Sequence, residues 1–298
     1  MKVAFVGDVH GCVVHALGAV VLLQRHRRIQ LDAVVQVGDL GAYPSPGRWD
    51  DSSRRYGAEH PAQGDFFRLL DGDPRVAESV RRALDEVPPV LFLSGNHEDH
   101  DWLAWLHETS GAAVTPVDPL SAYHHVACGH VADVGGLRTA FLGMIELPGH
   151  MDFDPGAYGA LMAAEPGSVD VLVTHEGPYG MSNDRNGNVQ GSAKLSVLIE
   201  RLQPSLHVGG HYHHENGPRR YGRTLSYALG QLVEPKVSRW DPVRDNPEQR
   251  VMRGSVGLLD TETLGFEYVR DDWLADLSGD ELDLSGLLAD GSPRPTAT

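Results

Sequence analysis

Five short apolar runs recur along this chain, and each stops at a Gly or polar turn that carries Asp, Asn or His. Residues 3–6 run into Gly7-Asp8-Val9-His10-Gly11, 33–37 into Gly38-Asp39, and 90–93 into Gly95-Asn96-His97-Glu98. Residues 169–173 run into Thr174-His175, and 206–208 into Gly210-His211-Tyr212-His213. Runs this short and rich in β-branched side chains read as buried strands. Between them the periodicity changes. Leu17, Val20, Val21 and Leu23 within residues 13–28, which end in basic side chains, predict a helix. So do Leu195, Leu198, Ile199 and Leu202 within residues 192–202, where Pro204 ends the element. Strands alternating with helices give an α/β architecture, and an open α/β sheet places its active site in the loops after the C-terminal ends of its strands. All of the polar residues named above fall in such loops.

Each motif alone says little, because a Gly-Asp pair usually closes a strand and a lone His is usually a satisfied polar residue. Their order carries the information. Asp8, His10, Asp39, Asn96, His175, His211 and His213 form an O/N donor set suited to Mn²⁺, Fe or Zn²⁺, without a thiolate. They exceed what one four-coordinate ion needs, so two divalent metal ions are the simpler reading.

The sequence D-x-H, G-D, G-N-H-E, H and G-H-x-H, spread from Asp8 to His213, resembles the calcineurin-like metallophosphoesterase superfamily. The resemblance implies a two-sheet β-sandwich flanked by α-helices. It also implies a binuclear metal-dependent phosphoesterase that hydrolyses a phosphodiester or phosphomonoester with a metal-bridging hydroxide. Position by position it gives Asp8, His10 and His213 to one ion and Asn96, His175 and His211 to the other, with Asp39 bridging. It makes His97 the acid that serves the leaving oxygen; the alternative is an orienting hydrogen bond to the metal shell. The expected substrate is a small organic phosphate, a nucleotide or a nucleic-acid phosphodiester.

In the protein phosphatase branch of that superfamily a G-D-x-x-D-R-G run supplies an Asp that pairs with this histidine. Here the run is Gly38-Asp39-Leu40-Gly41-Ala42-Tyr43, without that Asp or the Arg. The pattern is therefore closer to the phosphodiesterase-type branches. One of Glu98, Asp99, His100 and Asp101 is a candidate to orient His97; a solvated acidic turn is the other reading. A protein phosphatase and a non-catalytic scaffold remain the alternatives, the second opposed by the retention of His97 and every ligand. Arg185, in a polar loop after His175, is a candidate phosphate contact or a surface residue. His124, His125, His130, His150 and His214 match no motif position and read as non-ligands.

The remaining features bound the organisation. Residues 1–270 read as one catalytic domain, and 271–298, with seven acids and only Arg294 as a base, as an acidic tail that ends in a frayed Gly-Ser-Pro-Arg-Pro-Thr-Ala-Thr. Residues 44–88 begin as a Pro/Gly-rich loop, continue with helices near 65–70 and 75–86, and follow Asp39 directly, so they read as a cap or a peripheral helical insertion. Residues 233–254 read as a loop, with 255–259 and 266–269 as a closing hairpin. The formal charge of −16 disfavours non-specific nucleic-acid binding, and no basic binding surface is evident. No apolar stretch is long enough to span a membrane, so a cytoplasmic protein is expected. Cys12 and Cys128 read as buried thiols.

Overall fold

Alternate side chains of the first strand part company in the computed structural model, which describes residues 1–147, 152–238 and 242–289. Val3 and Phe5 enter one apolar cluster, Ala4 and Val6 another. This is the period-two geometry of a strand buried on both faces. The same division holds for Val35 against Val34, and for Val171 and Val173 against Leu172. The described residues therefore form two main sheets, an apolar layer between them, and helices outside each.

The first sheet has seven strands in the order Gly265–Tyr268, Val256–Asp260, Lys2–Val6, Ala33–Gln36, Val90–Phe92, Tyr123–Val126 and Val114–Pro116. Its four central strands are parallel, and antiparallel partners close both edges. The second has six, in the order Asn216–Tyr221, Thr224–Ala228, Leu206–Gly209, Val171–Thr174, Leu137–Leu142 and Val131–Val134. Its centre is also parallel. Phe5, Val35 and Leu93 of the first sheet meet Phe141, Val173, Leu206 and Tyr227 of the second. The expected two-sheet α/β sandwich is what forms, and parallel central strands bring both sets of strand-end loops to one side.

The helix Val13–Arg27 is buried on nearly every face. It lies beneath the first sheet and is covered by Pro74–Leu84 and by Leu284–Ala289. Arg28 closes it in a left-handed conformation, and Arg25, His26 and Arg27 complement its C-terminal dipole. Arg25 is 1 % exposed, and its guanidinium grips Glu86 and donates to the Leu288 carbonyl. On the second sheet, Pro155–Ala163 and Ala193–Leu202 pack through Leu161, Leu195, Leu198 and Ile199.

Two expectations need correction. The stretch after residue 271 is not a detached tail as far as residue 289, because Trp273, Leu274, Leu277, Leu282, Leu284 and Leu288 join the core around Val13–Arg27. Its acids face outward while apolar spacing holds it down; the Gly-Ser-Pro-Arg-Pro-Thr-Ala-Thr end lies outside the described residues. Cys12 is buried, but Cys128 is exposed, in the turn between Tyr123–Val126 and Val131–Val134. Among the described residues no helix is long and apolar enough to cross a membrane.

Because Leu284 is fully buried against Gly18, Leu284→Ala should destabilise the fold by about 2–5 kcal/mol, the usual cost of such a cavity. A shift of the denaturant midpoint measures it. An unchanged midpoint would show that this segment is not part of the core.

Candidate metal centre

Asp39 sits at the middle of the strand-end loops, 0 % exposed. One of its oxygens, Oδ1, accepts the backbone N–H of His97 at 2.8 Å. The other, Oδ2, is buried without a hydrogen-bond partner. His175 Nε2 lies 3.3 Å from that oxygen and His10 Nε2 3.8 Å from it. An orphaned buried carboxylate oxygen costs several kcal/mol unless something compensates it. With two imidazole nitrogens turned toward it, the fitting occupant is a cation.

The donors sort into two groups around Asp39. Asp8, His10, Asp39 and His213 place one ligand atom each within 4.8 Å of one another. Within that group His213 Nε2 lies 3.3 Å from Asp8 Oδ2 and 3.3 Å from His10 Nε2. On the other side His175 Nε2 lies 3.2 Å from Asn96 Oδ1, and its ring packs edge-on against His211 at 5.1 Å between centroids. Nδ1–H of His175 donates to the Val37 carbonyl at 3.0 Å, which leaves Nε2 as the nitrogen available to a metal. All seven expected ligands are thus brought together, as carboxylate, amide and imidazole donors suited to borderline divalent ions.

The backbone is bent to make this possible. His10, Asp39, His211 and His213 all have positive φ, at 46°, 56°, 74° and 59°. Such residues are costly and persist where the surroundings over-determine them, which is typical of functional sites. Close packing also requires two of the motif glycines. A Cβ on Gly95 would lie 2.2 Å from Asp39 Oδ1, and one on Gly210 would lie 2.2 Å from Asp8 Oδ1.

Electrostatics follow from burial and the shared carboxylates. Desolvation lowers His10 to about 4 and His211 to about 3, and holds His213 well below its ordinary value, so these three stay neutral with lone pairs to give. Burial would lower His175 too, but the carboxylates of Asp39 and Asp8 outweigh it and carry it up to about 10. Asp39 is held far below the usual carboxylate range because the imidazoles around it overcome its desolvation.

The partner of His97 is Asp50, which lies outside every motif. His97 Nδ1 meets Asp50 Oδ2 at 2.6 Å. Asp50 is the N-cap of the helix Asp51–Gly57: its Oδ1 accepts the Ser53 N–H, while Tyr43 Oη–H donates to Oδ2 at 2.6 Å. Burial would raise this carboxyl, but those hydrogen bonds hold it well below its ordinary value. Burial would likewise lower His97, yet Asp39 and Asp50 carry it up to about 9. The orienting carboxylate therefore does not come from residues 98–101, and of those residues Glu98 and Asp99 are buried while Asp101 is exposed. Glu98 is buried and accepts N–H bonds from Leu40 and Gly95, which ties two ligand loops together. Asp99 caps the helix His100–Ser110 and pairs with Arg48. The one legible trace of Asp50 was its N-cap pattern, Asp50-Asp51-Ser52-Ser53, which locally means only a helix start.

His10, His97 and His213 line a cavity of about 230 Å³ together with Ser52, Ser53 and Tyr56 of the 44–88 segment. Arg185 is not part of it. It is exposed in the loop of the hairpin Ser182–Asn183/Val189–Gln190, on the wall of an adjoining cleft of about 910 Å³. Sequence reasoning also passed over Gln231, Glu234 and Arg244, which line both spaces. Among the histidines read as non-ligands, His125 bonds Ser94 and His107, His214 bonds Ser182, and His124 meets the Ser121 carbonyl; His150 lies outside the described residues.

A family model described as calcineurin-like phosphoesterase matches residues 1–215, which include every motif ligand. Two UPF0046 proteins of Caenorhabditis elegans, K07C11.7 and C25E10.12, are 34 % identical over 61 residues and 33 % identical over 85 residues. Those stretches are 20 % and 26 % of this chain, and they span only 21 % and 30 % of the relatives' own length. One solved crystal structure aligns over 90 % of this chain and 98 % of its own, at 14 % identity and a TM-score of 0.52, which supports the fold. A novel phosphatase of Mycoplasma pneumoniae aligns over 91 % and 93 % at 13 % identity, with a TM-score of 0.48.

At pH 7 the His175 imidazole, raised to about 10, carries a proton that a cation at Nε2 must displace. Binding of Mn²⁺ should therefore release protons and tighten as pH rises toward that value. Calorimetry in buffers of different ionisation enthalpy reads this directly; heats independent of buffer would refute the ligand role of His175.

Proposed function

The chain belongs to the calcineurin-like phosphoesterase family, metal-dependent hydrolases of phosphate esters, and from that premise we propose that it works with a pair of divalent ions sharing Asp39. Asp8, His10 and His213 would hold one ion, Asn96, His175 and His211 the other. The observation that carries this reading is the unpartnered Oδ2 of Asp39, buried beside nitrogens of both groups. Such ions supply Lewis acidity toward phosphoryl oxygens and a water acidic enough to ionise near neutral pH. Mn²⁺ is the leading candidate from the donor set, with Fe and Zn²⁺ as alternatives.

The protein's own contribution lies in charge and proton placement. Asn96 adds a donor without adding charge, so the site stays attractive to a phosphate. His97 keeps Nδ1 on Asp50 and lines the cavity. Raised to about 9, it holds a proton at neutral pH. A group so fixed is suited to deliver that proton to the departing oxygen. Residues 44–88 then act as a cap in a specific sense: they bring Asp50 to His97 and close one wall of the cavity.

The substrate is a phosphodiester or phosphomonoester of small organic or nucleotide type. A protein phosphatase stands as the second reading, because Asp50 supplies the carboxylate partner that residues 38–43 lack.

For aryl and alkyl esters of graded leaving-group pKa, His97→Ala should lower kcat by roughly 10²–10⁴-fold for poor leaving groups and much less for nitrophenolate. Asp50→Asn should act in the same direction. Metal content measured alongside should be retained. Equal losses across the series would assign His97 to positioning rather than proton transfer, and metal-loaded protein inert toward every ester would sink the hydrolytic reading.

A further inference from the structure

The cavity of about 230 Å³ and the cleft of about 910 Å³ share four lining residues, His213, Gln231, Glu234 and Arg244. His213 belongs to the metal group. The His213 side of the metal group therefore stands on the partition between two spaces of unequal size. A phosphate held there has room for a substituent on each side.

Gln231 stands on that partition and is fixed by its neighbours. Gly230 N–H donates to the Gly254 carbonyl at 3.0 Å and Leu232 N–H to the Asp8 carbonyl at 2.8 Å, so the backbone is tied on one side to the turn before Val256–Asp260 and on the other to the Asp8 loop. Its side chain is 4 % exposed, and Oε1 has no hydrogen-bond partner. An unsatisfied buried amide oxygen costs about 1–3 kcal/mol. The terminal torsion of Gln is soft, so a small turn of the amide offers that acceptor to a group in either space. Arg244 beside it is held by Glu234 and by the His213 carbonyl, the latter at 2.8 Å. The larger cleft carries Asn183, Asp184, Arg185 and Asn186 on one wall, with Tyr212, Val243 and Met252 elsewhere in it. Gln231 and Arg244 both lie beyond residues 1–215, outside the part of the chain matched to the family.

Resting on the hydrolytic reading above, we propose that the substrate is a phosphodiester with one compact arm and one larger, hydroxyl-bearing arm, and that Gln231 is the residue that selects the hydroxylated arm. The compact arm takes the smaller cavity, beside His97. The polar arm takes the larger cleft, where a hydroxyl donates to Gln231 Oε1. A monoester leaves one of the two spaces to water.

The test uses full-length protein loaded with Mn²⁺ and two diesters with the same leaving group, ethyl p-nitrophenyl phosphate and glyceryl p-nitrophenyl phosphate. Wild type should prefer the glyceryl ester in kcat/KM. In Gln231→Met that preference should fall about 3–10-fold, mainly through KM, the usual worth of one neutral hydrogen bond. Should Gln231→Met fold poorly, Gln231→Asn, which keeps the amide but withdraws it, serves the same comparison. Equilibrium binding of glycerol phosphorothioate diester, followed by calorimetry, should weaken in parallel. A glyceryl-to-ethyl ratio at or below one in wild type, or one unchanged in the variant, overturns the proposal while leaving the hydrolytic reading intact. Turnover of p-nitrophenyl phosphate but of neither diester also overturns the proposal and leaves the hydrolytic reading intact, whereas turnover of none of the three by metal-loaded protein overturns both.

Discussion

One buried carboxylate organises this protein. Asp39 is completely withdrawn from solvent with one oxygen bound to backbone and the other unpaired. An isolated carboxylate in such surroundings would normally take up a proton, yet here the imidazoles around it hold it anionic. Everything nearby serves that arrangement. Parallel strands in two facing sheets deliver their ends to one place, motif glycines let oxygens approach backbone, and left-handed residues turn the side chains inward.

A second carboxylate extends the design from binding to chemistry. Asp50 reaches His97 across 47 residues of chain, and it does so while capping a helix. That dual use explains why the 44–88 segment is folded where it is. Its helix Asp51–Gly57 is a short element capped at the N-terminus by the side chain that also orients the histidine. Loss of one hydrogen bond would therefore be felt in both local order and proton delivery.

The strands and the donors around Asp39 were legible because each apolar run is followed within two or three residues by the first of its candidate donors, so one local pattern encodes both strand and site. The helices near 65–70 and 75–86 and the closing hairpin appear within a few residues of where periodicity puts them. Asp50 was not legible as a partner because its local sequence states only an N-cap, and the contact with His97 exists only once the strands Ala33–Gln36 and Val90–Phe92 pair in the first sheet. The segment after 271 misled for a different reason. Its seven acids against a single base set its charge, while Trp273, Leu274, Leu277, Leu282, Leu284 and Leu288, which bury it, are interleaved with them rather than gathered in a run. The strands Val114–Pro116, Tyr123–Val126 and Val131–Val134 are three or four residues long and interrupted by Thr, His or Asp, so no apolar run announces them.

Diffraction from Mn²⁺-soaked crystals, with anomalous data collected near the manganese edge, tests the shared role of Asp39 most directly. Two peaks should appear, one among Asp8, His10 and His213 and the other among Asn96, His175 and His211, with the Asp39 carboxylate between them. A single peak that Asp39 does not touch would contradict the arrangement on which the rest depends.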